Sequence, residues 1–432
     1  MAGQRMVIVG AGQAGSDTAA ALRAGGFTGA VTLIGDEAAV PYQRPPLSKA
    51  YLAGRTDAAG LELRPEGFYG AHGIERVRRD PVARIDRDRA GVVLASGRTL
   101  PYDRLVLATG ARPRSLPVPG AGLTGVQALR SLADAEALRR ALAGARHLVV
   151  VGGGFVGLEV AATASGLGVP ATVVEAGARV MGRTVGPEVS ERLAAEHRAR
   201  GVELVLGREV TALEGDRRGR VRVVELNDGR RLPADVVVVG IGVLPAVELA
   251  ADAGLEVGGG IVVDARLRTS DRAVYAVGDC ARFPSPYAPG RLRLESVQNA
   301  SDQARHVAGQ LCGAPAPYTA VPWFWTEQYD LRVQIAGIVR AGDRRVTVGD
   351  PAGRFSVLCF RDGLLVGAES VNRPADHMIT RRLLASDGPR PTPDEAARPG
   401  FDLKTWQAPA SAQAPAQPQA STQAQAPAPA PA

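Results

Sequence analysis

Two glycine-rich turns constrain this chain more than any other feature of its 432 residues. The first spans residues 10–15 within the run VIVGAGQAG, and the second spans residues 152–157 within VVVGGGFVG. Each turn follows an apolar, β-branched run, opens a helix-prone stretch, at 17–24 or at 158–167, and leads to a second apolar run, at 31–34 or at 171–174. The pattern predicts a strand, a tight turn, a helix and a second strand, which together form a dinucleotide-binding unit.

The spacing within the first turn gives each glycine a task. Gly10 permits the tight turn, Gly12 lets the backbone approach a pyrophosphate, and Gly15 lets the helix pack closely on the strand. The start of the helix supplies unpaired N–H groups and a partial positive charge. An acid after the second strand is expected to bind a ribose, and Asp36 stands at that position. The predicted cofactor contacts are therefore Asp36 together with the turn residues Gly10, Gly12, Ala14 and Gly15.

The second turn repeats this fingerprint, and its second strand ends at Glu175. A carboxylate there suits the free ribose hydroxyls of NAD and would repel the 2′-phosphate of NADP; the next basic residue is only at Arg179. Two fingerprints indicate two dinucleotides, and hydride transfer needs a donor and an acceptor, so we predict FAD at the first turn and NADH at the second. The expected contacts of the nicotinamide nucleotide are Gly152, Gly154, Gly157 and Glu175.

Composition argues against several other classes of protein. Hydrophobic residues make up 45% of the chain and charged residues 22%, as in soluble globular proteins, and no apolar window of about 18 residues predicts a membrane span. Cys280, Cys312 and Cys359 lie far apart, which disfavours a metal site, an iron–sulfur cluster or a disulfide scaffold and favours a reducing cytoplasm. The net charge of +7 comes almost entirely from arginine, without the basic and aromatic runs of nucleic-acid-binding proteins, and suits an acidic protein partner.

Four further motifs carry a family resemblance. They are YDRLVLATG at 102–110, AVGD at 276–279, PYQRPPLSK at 41–49 and VPWFW at 321–325. From about residue 6 to residue 373 the chain resembles, in order and spacing, the two-dinucleotide flavoprotein reductases, and among them the FAD-dependent NADH:ferredoxin reductases of oxygenase systems. The resemblance implies an α/β fold with two Rossmann-like, glutathione-reductase-like dinucleotide-binding domains and a C-terminal α+β domain.

The same motifs divide the chain into domains. We expect a discontinuous FAD-binding domain at 1–111 and 245–321, an NAD-binding domain at 112–244, and the α+β domain at 322–406. Residues 407–432 are almost entirely Ala, Pro and Gln, which cannot bury a core, so we expect a disordered tail.

The resemblance also implies roles for particular residues. In this family a lysine at the position of Lys49 sits beside the flavin N5 and pairs with a glutamate at the position of Glu159. A fixed cation there stabilises negative charge that develops on the reduced flavin. Trp325, within the aromatic triplet, is expected to cover the flavin and border the electron exit, so Lys49, Glu159 and Trp325 are the predicted catalytic residues. Further expected FAD contacts are Asp279 on the ribityl chain, Arg130, Val82 and Val297, which lies near the start of a helical stretch predicted at 295–311.

Cysteine placement then selects the electron acceptor. Disulfide-reducing relatives carry a redox cysteine shortly before the position of Lys49, where this chain has Tyr42, Gln43 and Arg44. Without a thiol relay there, electrons must leave directly from the flavin. We therefore expect the acceptor to be a [2Fe–2S] ferredoxin that docks near Arg305 and Trp325 and supplies a cytochrome P450 or a ring-hydroxylating dioxygenase.

The sequence is also compatible with two other functions. The protein could instead be a rubredoxin reductase, or an NADH-responsive flavoprotein like the apoptosis-inducing-factor group, in which a long-lived complex drives assembly. Single residues also have ordinary structural interpretations: Lys49 as a surface lysine, Glu159 as a helix N-terminal acid, Glu175 as a solvated strand-end acid, the aromatic triplet as core, and Arg130 and Arg305 as solvated helix charges.

Overall fold

The first part of the chain, in a computed structural model that describes residues 3–408, surrounds the first glycine turn. Its elements are β1 (Arg5–Val9), α1 (Gln13–Ala24), β2 (Ala30–Ile34), α2 (Glu66–Ala71), β3 (Ile74–Val77), β4 (Val82–Asp86), β5 (Gly91–Leu94), β6 (Thr99–Pro101), β7 (Arg104–Leu107) and β8 (Ala111–Pro113). Strands β3, β2, β1 and β7 lie side by side and parallel, whereas β4, β5 and β6 form a separate antiparallel sheet.

The second glycine turn lies in a second parallel sheet. The elements of this region are β9 (Val126–Gln127), α3 (Leu132–Leu142), β10 (Leu148–Val151), α4 (Phe155–Gly166), β11 (Ala171–Glu175), α5 (Pro187–Ala199), β12 (Glu203–Leu206), β13 (Val210–Gly215), β14 (Val221–Leu226), β15 (Arg231–Pro233), β16 (Val236–Val239) and β17 (Val243–Pro245). The parallel order is β12-β11-β10-β16-β9, while β13, β14 and β15 form an antiparallel sheet and β17 pairs with β8. Strands β10 and β16 are fully buried and read as unbroken Val/Leu runs, as expected for a sheet covered on both faces.

The chain then returns to the first sheet. The next elements are α6 (Glu248–Asp252), β18 (Ile261–Val262), β19 (Val274–Ala276), β20 (Ala281–Pro284), β21 (Arg291–Leu292) and α7 (Val297–Leu311). Strand β19 pairs with β7 and completes the parallel order β19-β7-β1-β2-β3. The carboxyl ends of β1, β7 and β19 therefore meet at one edge, where open α/β sheets bind their ligands. Helix α7 packs along α1 at this edge.

The last part of the chain is an antiparallel sheet backed by helices. Its elements are β22 (Trp323–Gln328), β23 (Leu331–Gly337), β24 (Arg344–Gly349), β25 (Phe355–Arg361), β26 (Leu364–Val371), α8 (Pro374–Ala385) and α9 (Pro393–Ala396). The strand order is β22-β23-β26-β25-β24, and α8 packs on β23 and β26. Together these three regions confirm the predicted fold class. The predicted tail from 409 onward lies outside the described residues.

The sequence predicts strands at 31–34, 148–151, 171–174, 331–335 and 355–360, and each lies within two residues of an observed strand, but two helix starts were wrong. The sequence predicted α1 from Asp17 and α4 from Leu158, whereas the helices begin at Gln13 and Phe155. The last glycine of each turn, Gly15 or Gly157, lies in the first turn of the helix, and glycine lowers helix propensity by about 1 kcal/mol, which hides the start from a propensity argument. The helical stretch predicted from Glu295 begins two residues later, at Val297, because Ser296 is its N-cap.

Candidate functional site

Of the three glycines in the first turn, only Gly12 has open space at the position of a side chain. A Cβ atom on Gly10 would lie 2.2 Å from the carbonyl oxygen of Ala108, and one on Gly15 would lie 1.8 Å from the carbonyl oxygen of Gly10. Gly10 also has φ +108°, which an L side chain rarely adopts. In contrast, a Cβ on Gly12, the N-cap of α1, would meet no protein atom within 4 Å. The N–H groups at the start of α1 are thus accessible to a pyrophosphate, and this cradle fits FAD.

Other predicted FAD residues lie at the same edge of the sheet. Gly278 lies two residues past the end of β19. It approaches α1 so closely that a Cβ there would be 3.0 Å from the Cβ of Ala14. The neighbouring Asp279 forms an ion pair with Arg130, with 2.9 Å between Oδ2 and Nη2. Arg130 is thus held by Asp279 in this structure, and the carbonyl oxygen of Arg130 accepts a hydrogen bond from Arg44.

Asp36 and Val82 lie in different surroundings. Asp36 is exposed just beyond β2, and its neighbour Glu37 is the acid that pairs with Arg44, at 2.7 Å. The side chain of Val82 is buried in the core beneath the first sheet. Any cofactor contact of Val82 would therefore come through its backbone.

The second glycine turn repeats the geometry of the first. A Cβ on Gly152 would lie 2.5 Å from the carbonyl oxygen of Gly240, and one on Gly157 would lie 2.1 Å from that of Gly152. The nearest protein atom to a Cβ on Gly154, the N-cap of α4, would be 4.0 Å away. The start of α4 therefore also offers its N–H groups to a dinucleotide.

Glu175 is bound to this turn by its carboxylate. Oε2 accepts a hydrogen bond from the backbone N–H of Gly153 at 2.6 Å, and Oε1 accepts one from Gly177 at 2.7 Å. Arg179, the nearest following arginine, donates to the carbonyl oxygens of Gly182 and Val185. The turn is thus lined by a carboxylate, and the nearby guanidinium is engaged elsewhere.

Lys49 and Glu159 meet between the two dinucleotide-binding regions. The Nζ atom of Lys49 lies 2.8 Å from Oε2 of Glu159, and the two side chains are 20% and 7% exposed. A 3₁₀ turn at Pro45–Ser48 ends at Lys49, and its two prolines fix the backbone there. The hydroxyl of Thr163 on α4 donates to the carbonyl oxygen of Ser48 at 2.7 Å and connects this turn to the helix that follows the second glycine turn.

Sequence reasoning missed two further partners of Glu159. The hydroxyl of Ser48 donates to Oε2, and the hydroxyl of Thr326 on β22 donates to Oε1 at 2.6 Å. Their only sequence signals are position: Ser48 precedes Lys49, and Thr326 follows the aromatic triplet. Glu159 therefore receives three donors from two separate parts of the chain, residues 48–49 and Thr326, and these donors compensate its burial.

One cleft collects four of the predicted residues. It has a volume of about 640 Å³ and is lined by Lys49, Glu159, Val297 and Trp325, together with Gln13 and Gln328. Val297 is the first residue of α7, whose N-cap Ser296 accepts a hydrogen bond from the N–H of Asn299 at 3.0 Å. A cation, a helix start and an indole thus face one space.

A second cleft, of about 890 Å³, lies between α7 and α8. It is lined by Arg305, Arg381, Arg382 and Met378, among others. Arg305 pairs with Asp302 and lines this cleft, whereas Trp325 lines the first, so the two residues expected near the docking site border different clefts. Trp323 connects the two: its ring centroid is 5.7 Å from that of Trp325, and the guanidinium of Arg381 lies 4.5 Å above it.

The cysteines lie away from the first cleft. Cys280 and Cys359 are buried and Cys312 is partly buried, and burial raises the pKa of each thiol. The Cys280 thiol donates to the carbonyl oxygen of Val277 at 3.3 Å. Raised pKa values disfavour the nucleophilic thiolate form, so none of the three is suited to a redox relay. Across residues 3–408, no helix combines the length and apolarity needed to cross a membrane.

Comparisons with known proteins agree with this geometry. The rhodocoxin reductase of Rhodococcus erythropolis is 49% identical over 400 residues, covering 92% of this chain and 93% of that protein. The crystal structure of the ferredoxin reductase for the CYP199A2 system from Rhodopseudomonas palustris has a TM-score of 0.90 and 46% identity, covering 93% of this chain and 99% of that one. The reductase in the covalent putidaredoxin reductase–putidaredoxin complex has a TM-score of 0.90 and 42% identity, covering 94% and 98%.

Two families match consecutive parts of the chain. The family described as reductase C-terminal matches residues 323–407, and the one described as pyridine nucleotide-disulphide oxidoreductase matches residues 4–304. The chain belongs to the pyridine nucleotide-disulphide oxidoreductase family, and it is an FAD-containing, NAD(P)H-dependent oxidoreductase of the ferredoxin reductase type.

Proposed function

We propose that this chain passes electrons from NADH through FAD to a [2Fe–2S] ferredoxin, which supplies a cytochrome P450 or a ring-hydroxylating dioxygenase. The observation that carries this proposal is the Lys49–Glu159 ion pair, which lines one cleft with Val297 and Trp325. The three cysteines lie elsewhere with raised pKa values. Electrons that enter at this cleft have no thiol acceptor beside it and leave to a separate protein.

FAD is assigned to the first glycine turn. The open space above Gly12 and the start of α1 favour a pyrophosphate there. The remaining contacts are assigned to Gly10, Ala14, Gly15, Asp36, Val82, Arg130, Asp279 and Val297. When bound, FAD supplies a group that takes up two electrons together and releases them singly, which no side chain of this protein does.

NADH is assigned to the second glycine turn, at Gly152, Gly154, Gly157 and Glu175. The Glu175 carboxylate borders this turn, and a 2′-phosphate would be repelled by it. Arg179, which could otherwise neutralise a phosphate, already donates to two carbonyl oxygens. These contacts favour NADH over NADPH.

The chain's own residues orient the reactants and stabilise charge. Lys49 places a fixed cation in the cleft, and Glu159 holds that cation in position. The N–H groups at the start of α7 add a partial positive charge near Val297. Trp325 covers one side of the cleft with an apolar ring. Such preorganised charges lower the energy of negative charge that develops during reduction.

The ferredoxin docking site is assigned to the second cleft and the tryptophans beside it. Arg305, Arg381 and Arg382 give this surface a positive charge, which suits an acidic partner. Trp323 links the surface to Trp325 at the first cleft. A reducing cytoplasm is the compartment we assign, because the reaction requires NADH and the cysteines are free.

The division into domains is part of this proposal. The FAD-binding domain comprises 1–111 and 245–321, since β19 of the second segment completes the sheet of the first. The NAD-binding domain comprises 112–244, and the C-terminal domain comprises 322–406. The ion pair of Lys49 with Glu159 crosses from the first of these domains to the second.

Rapid mixing of the purified holoenzyme with NADH tests the function. We expect NADH to bleach the flavin absorbance band without a change in thiol titre, and NADPH to do so more slowly. The reduced enzyme should then reduce [2Fe–2S] ferredoxins, putidaredoxin among them. Reduction of a rubredoxin alone would replace the proposed partner. Slow turnover with every acceptor, together with an NADH-dependent change in oligomer size, would instead support an NADH-responsive flavoprotein like the apoptosis-inducing-factor group.

A further inference from the structure

A buried hydrogen-bond chain leads from the NAD-binding region through the C-terminal sheet to Glu159. Thr326 donates to Oε1 of Glu159 at 2.6 Å, and Nε2 of Gln328 donates to the hydroxyl oxygen of Thr326 at 3.3 Å. Oε1 of Gln328 lies 2.8 Å from Nε2 of His197 on α5. These four side chains are each at least nine-tenths buried, so water cannot easily replace a lost partner.

The chain has one consistent direction of donation. A carboxylate only accepts, so Thr326 gives its single hydroxyl hydrogen to Glu159 and must accept from Gln328. The Gln328 amide oxygen then accepts from His197, which fixes the proton on Nε2 of the imidazole. Burial lowers the pKa of His197, which is consistent with this neutral tautomer.

Strand geometry explains why these side chains point the same way. Thr326 and Gln328 are two residues apart on β22, so they lie on one face of the strand, and Phe324 shares that face. The Phe324 ring packs against Phe155, the first residue of α4, with 4.3 Å between centroids. This contact seats β22 on the helix that carries Glu159.

We propose that Thr326 and Gln328 are positioning residues that orient the Glu159 carboxylate for its ion pair with Lys49. Ser48 and Lys49 both bind Oε2, whereas Thr326 is the donor that the described residues offer to Oε1. Without Thr326 the carboxylate is free to turn about its last torsion and release the ammonium. The proposal rests on the proposed function, in which Lys49 assists the NADH reaction. It means that the C-terminal domain governs NADH oxidation as well as partner docking.

Three variants test the proposal in the holoenzyme. We expect Thr326→Val to slow the limiting rate of flavin bleaching by NADH about tenfold, with the NADH concentration for half-maximal rate changed less than about twofold, since a lost hydrogen bond to a charged group is worth about 1.5 kcal/mol. Thr326→Ser retains the hydroxyl and should restore most of the rate. Thr380→Val is the matched control, because Thr380 is a buried threonine of the same domain whose hydroxyl has no partner within residues 3–408. An equal loss in the control, or no rescue by serine, overturns the proposal.

A stability cycle gives a readout that does not depend on activity. Thr326→Val should lower the unfolding temperature of the holoenzyme in the wild-type background but much less in the Glu159→Leu background, because Glu159→Leu has already removed the acceptor of the Thr326 hydroxyl. Equal shifts in both backgrounds would contradict the coupling. If wild-type protein is not bleached by NADH, the proposed function fails and this cycle still decides the positioning role. If the wild type is bleached and Thr326→Val matches it, only the positioning role fails.

Discussion

Lys49 and Glu159 form an ion pair whose cost points to a functional role. Taking two charges out of water is unfavourable, and well-packed apolar residues often stabilise a fold as well as such a pair does. The sequence nevertheless places one of its two lysines here, 20% exposed, against a carboxylate that is 7% exposed. Three donors, Lys49, Ser48 and Thr326, hold that carboxylate in one orientation. Such a fixed orientation is what a group that positions a cation beside a cofactor requires.

Replacing Lys49 separates its contribution to flavin reduction from its contribution to the stability of the fold. Lys49→Ala should slow flavin bleaching by NADH about tenfold or more, because a fixed cation near developing negative charge is lost. It should also lower the free energy of unfolding by about 1–3 kcal/mol, since Glu159 is left without its counter-charge. Stopped-flow absorbance and thermal unfolding measure the two effects. Lys404→Ala, which removes the other, exposed lysine, is the control and should change neither. Wild-type kinetics in Lys49→Ala would contradict the assigned role.

Glu175 is the residue that should set the choice of nicotinamide nucleotide. Glu175→Ala removes the carboxylate that binds the N–H groups of Gly153 and Gly177, so the turn loses support and the repulsion of a 2′-phosphate disappears. We expect weaker NADH binding and a smaller preference over NADPH, by about tenfold. Titration of each nucleotide and steady-state kinetics test this. Glu209→Ala, an exposed acid of the same region, should keep the wild-type preference; an unchanged preference in Glu175→Ala would end this interpretation.

At this scale the sequence identified residues but not their partners. Lys49, Glu159, Asp279 and Arg130 were named from motifs, yet the Arg130–Asp279 pair was not anticipated. Thr326 was missed altogether because its contact with Glu159 joins residues 167 positions apart. Hydrogen bonds between distant side chains depend on how sheets pack, and no local pattern of residues encodes them.

Strands with continuous or regularly alternating apolar residues were predictable from the sequence, and strands without such a pattern were not. Apolar runs such as β10 and the alternating strands β23 and β25 matched their observed positions closely. The aromatic triplet was described only as a cluster, whereas it begins β22. Large apolar side chains lie on both faces of the start of β22, Phe324 against α4 and Trp323 and Trp325 on the opposite face, so its sequence begins without the polar and apolar alternation that would reveal a strand.

Helix α8 carries a buried histidine that should make the protein sensitive to acid. The His377 ring packs edge-on against Trp323 at 5.2 Å, and neither ring nitrogen has a partner within residues 3–408. Burial, with Arg381 and Arg332 nearby, lowers its pKa to about 4. Since the unfolded chain titrates near 6.5, the unfolded state binds the proton first, so stability is full above pH 6.5 and falls between pH 6.5 and pH 4.

Removing His377 should reduce the loss of folding stability between pH 6.5 and pH 4. His377→Phe keeps a ring against Trp323 but cannot be protonated, and the wild type should lose up to about 3 kcal/mol more than the variant between pH 6.5 and pH 4. Denaturant unfolding of both proteins across that range measures the difference. Asp376, whose pKa is raised by burial, is present in both and cancels. Parallel curves for the two proteins would show that His377 does not cause the acid sensitivity.

On the scale of the whole molecule, the path of the chain decides which residues meet. The first sheet is completed by β19, which follows the whole second sheet in the sequence, and this return brings Asp279 and α7 to the edge that carries Gly12. Only the order of the motifs predicted that the chain returns to the first sheet, because no sequence pattern indicates that β19 pairs with β7, which lies so far before it in the sequence. The separation of Arg305 from Trp325 into two clefts was not predictable for the same reason.

Long-range charge should guide the partner to the second cleft. Arg305 is 61% exposed on α7 beside Arg381 and Arg382, and such rim charges mainly change the rate of encounter and its dependence on salt. Arg305→Ala should therefore raise the KM for a [2Fe–2S] ferredoxin about three- to tenfold at low ionic strength, with a smaller effect at high salt, where charges are screened. Flavin bleaching by NADH should keep its wild-type rate.

The same measurement on a remote arginine separates a local docking site from net charge. Arg89→Ala removes an arginine that is 86% exposed at the turn between β4 and β5, and so changes the total charge equally. If docking depends on the second cleft, ferredoxin KM in Arg89→Ala stays near the wild-type value while Arg305→Ala raises it. Equal increases in both variants would mean that the overall positive charge attracts the ferredoxin without a defined site. No increase in either, or a KM that is insensitive to salt, would remove the second cleft from the docking surface.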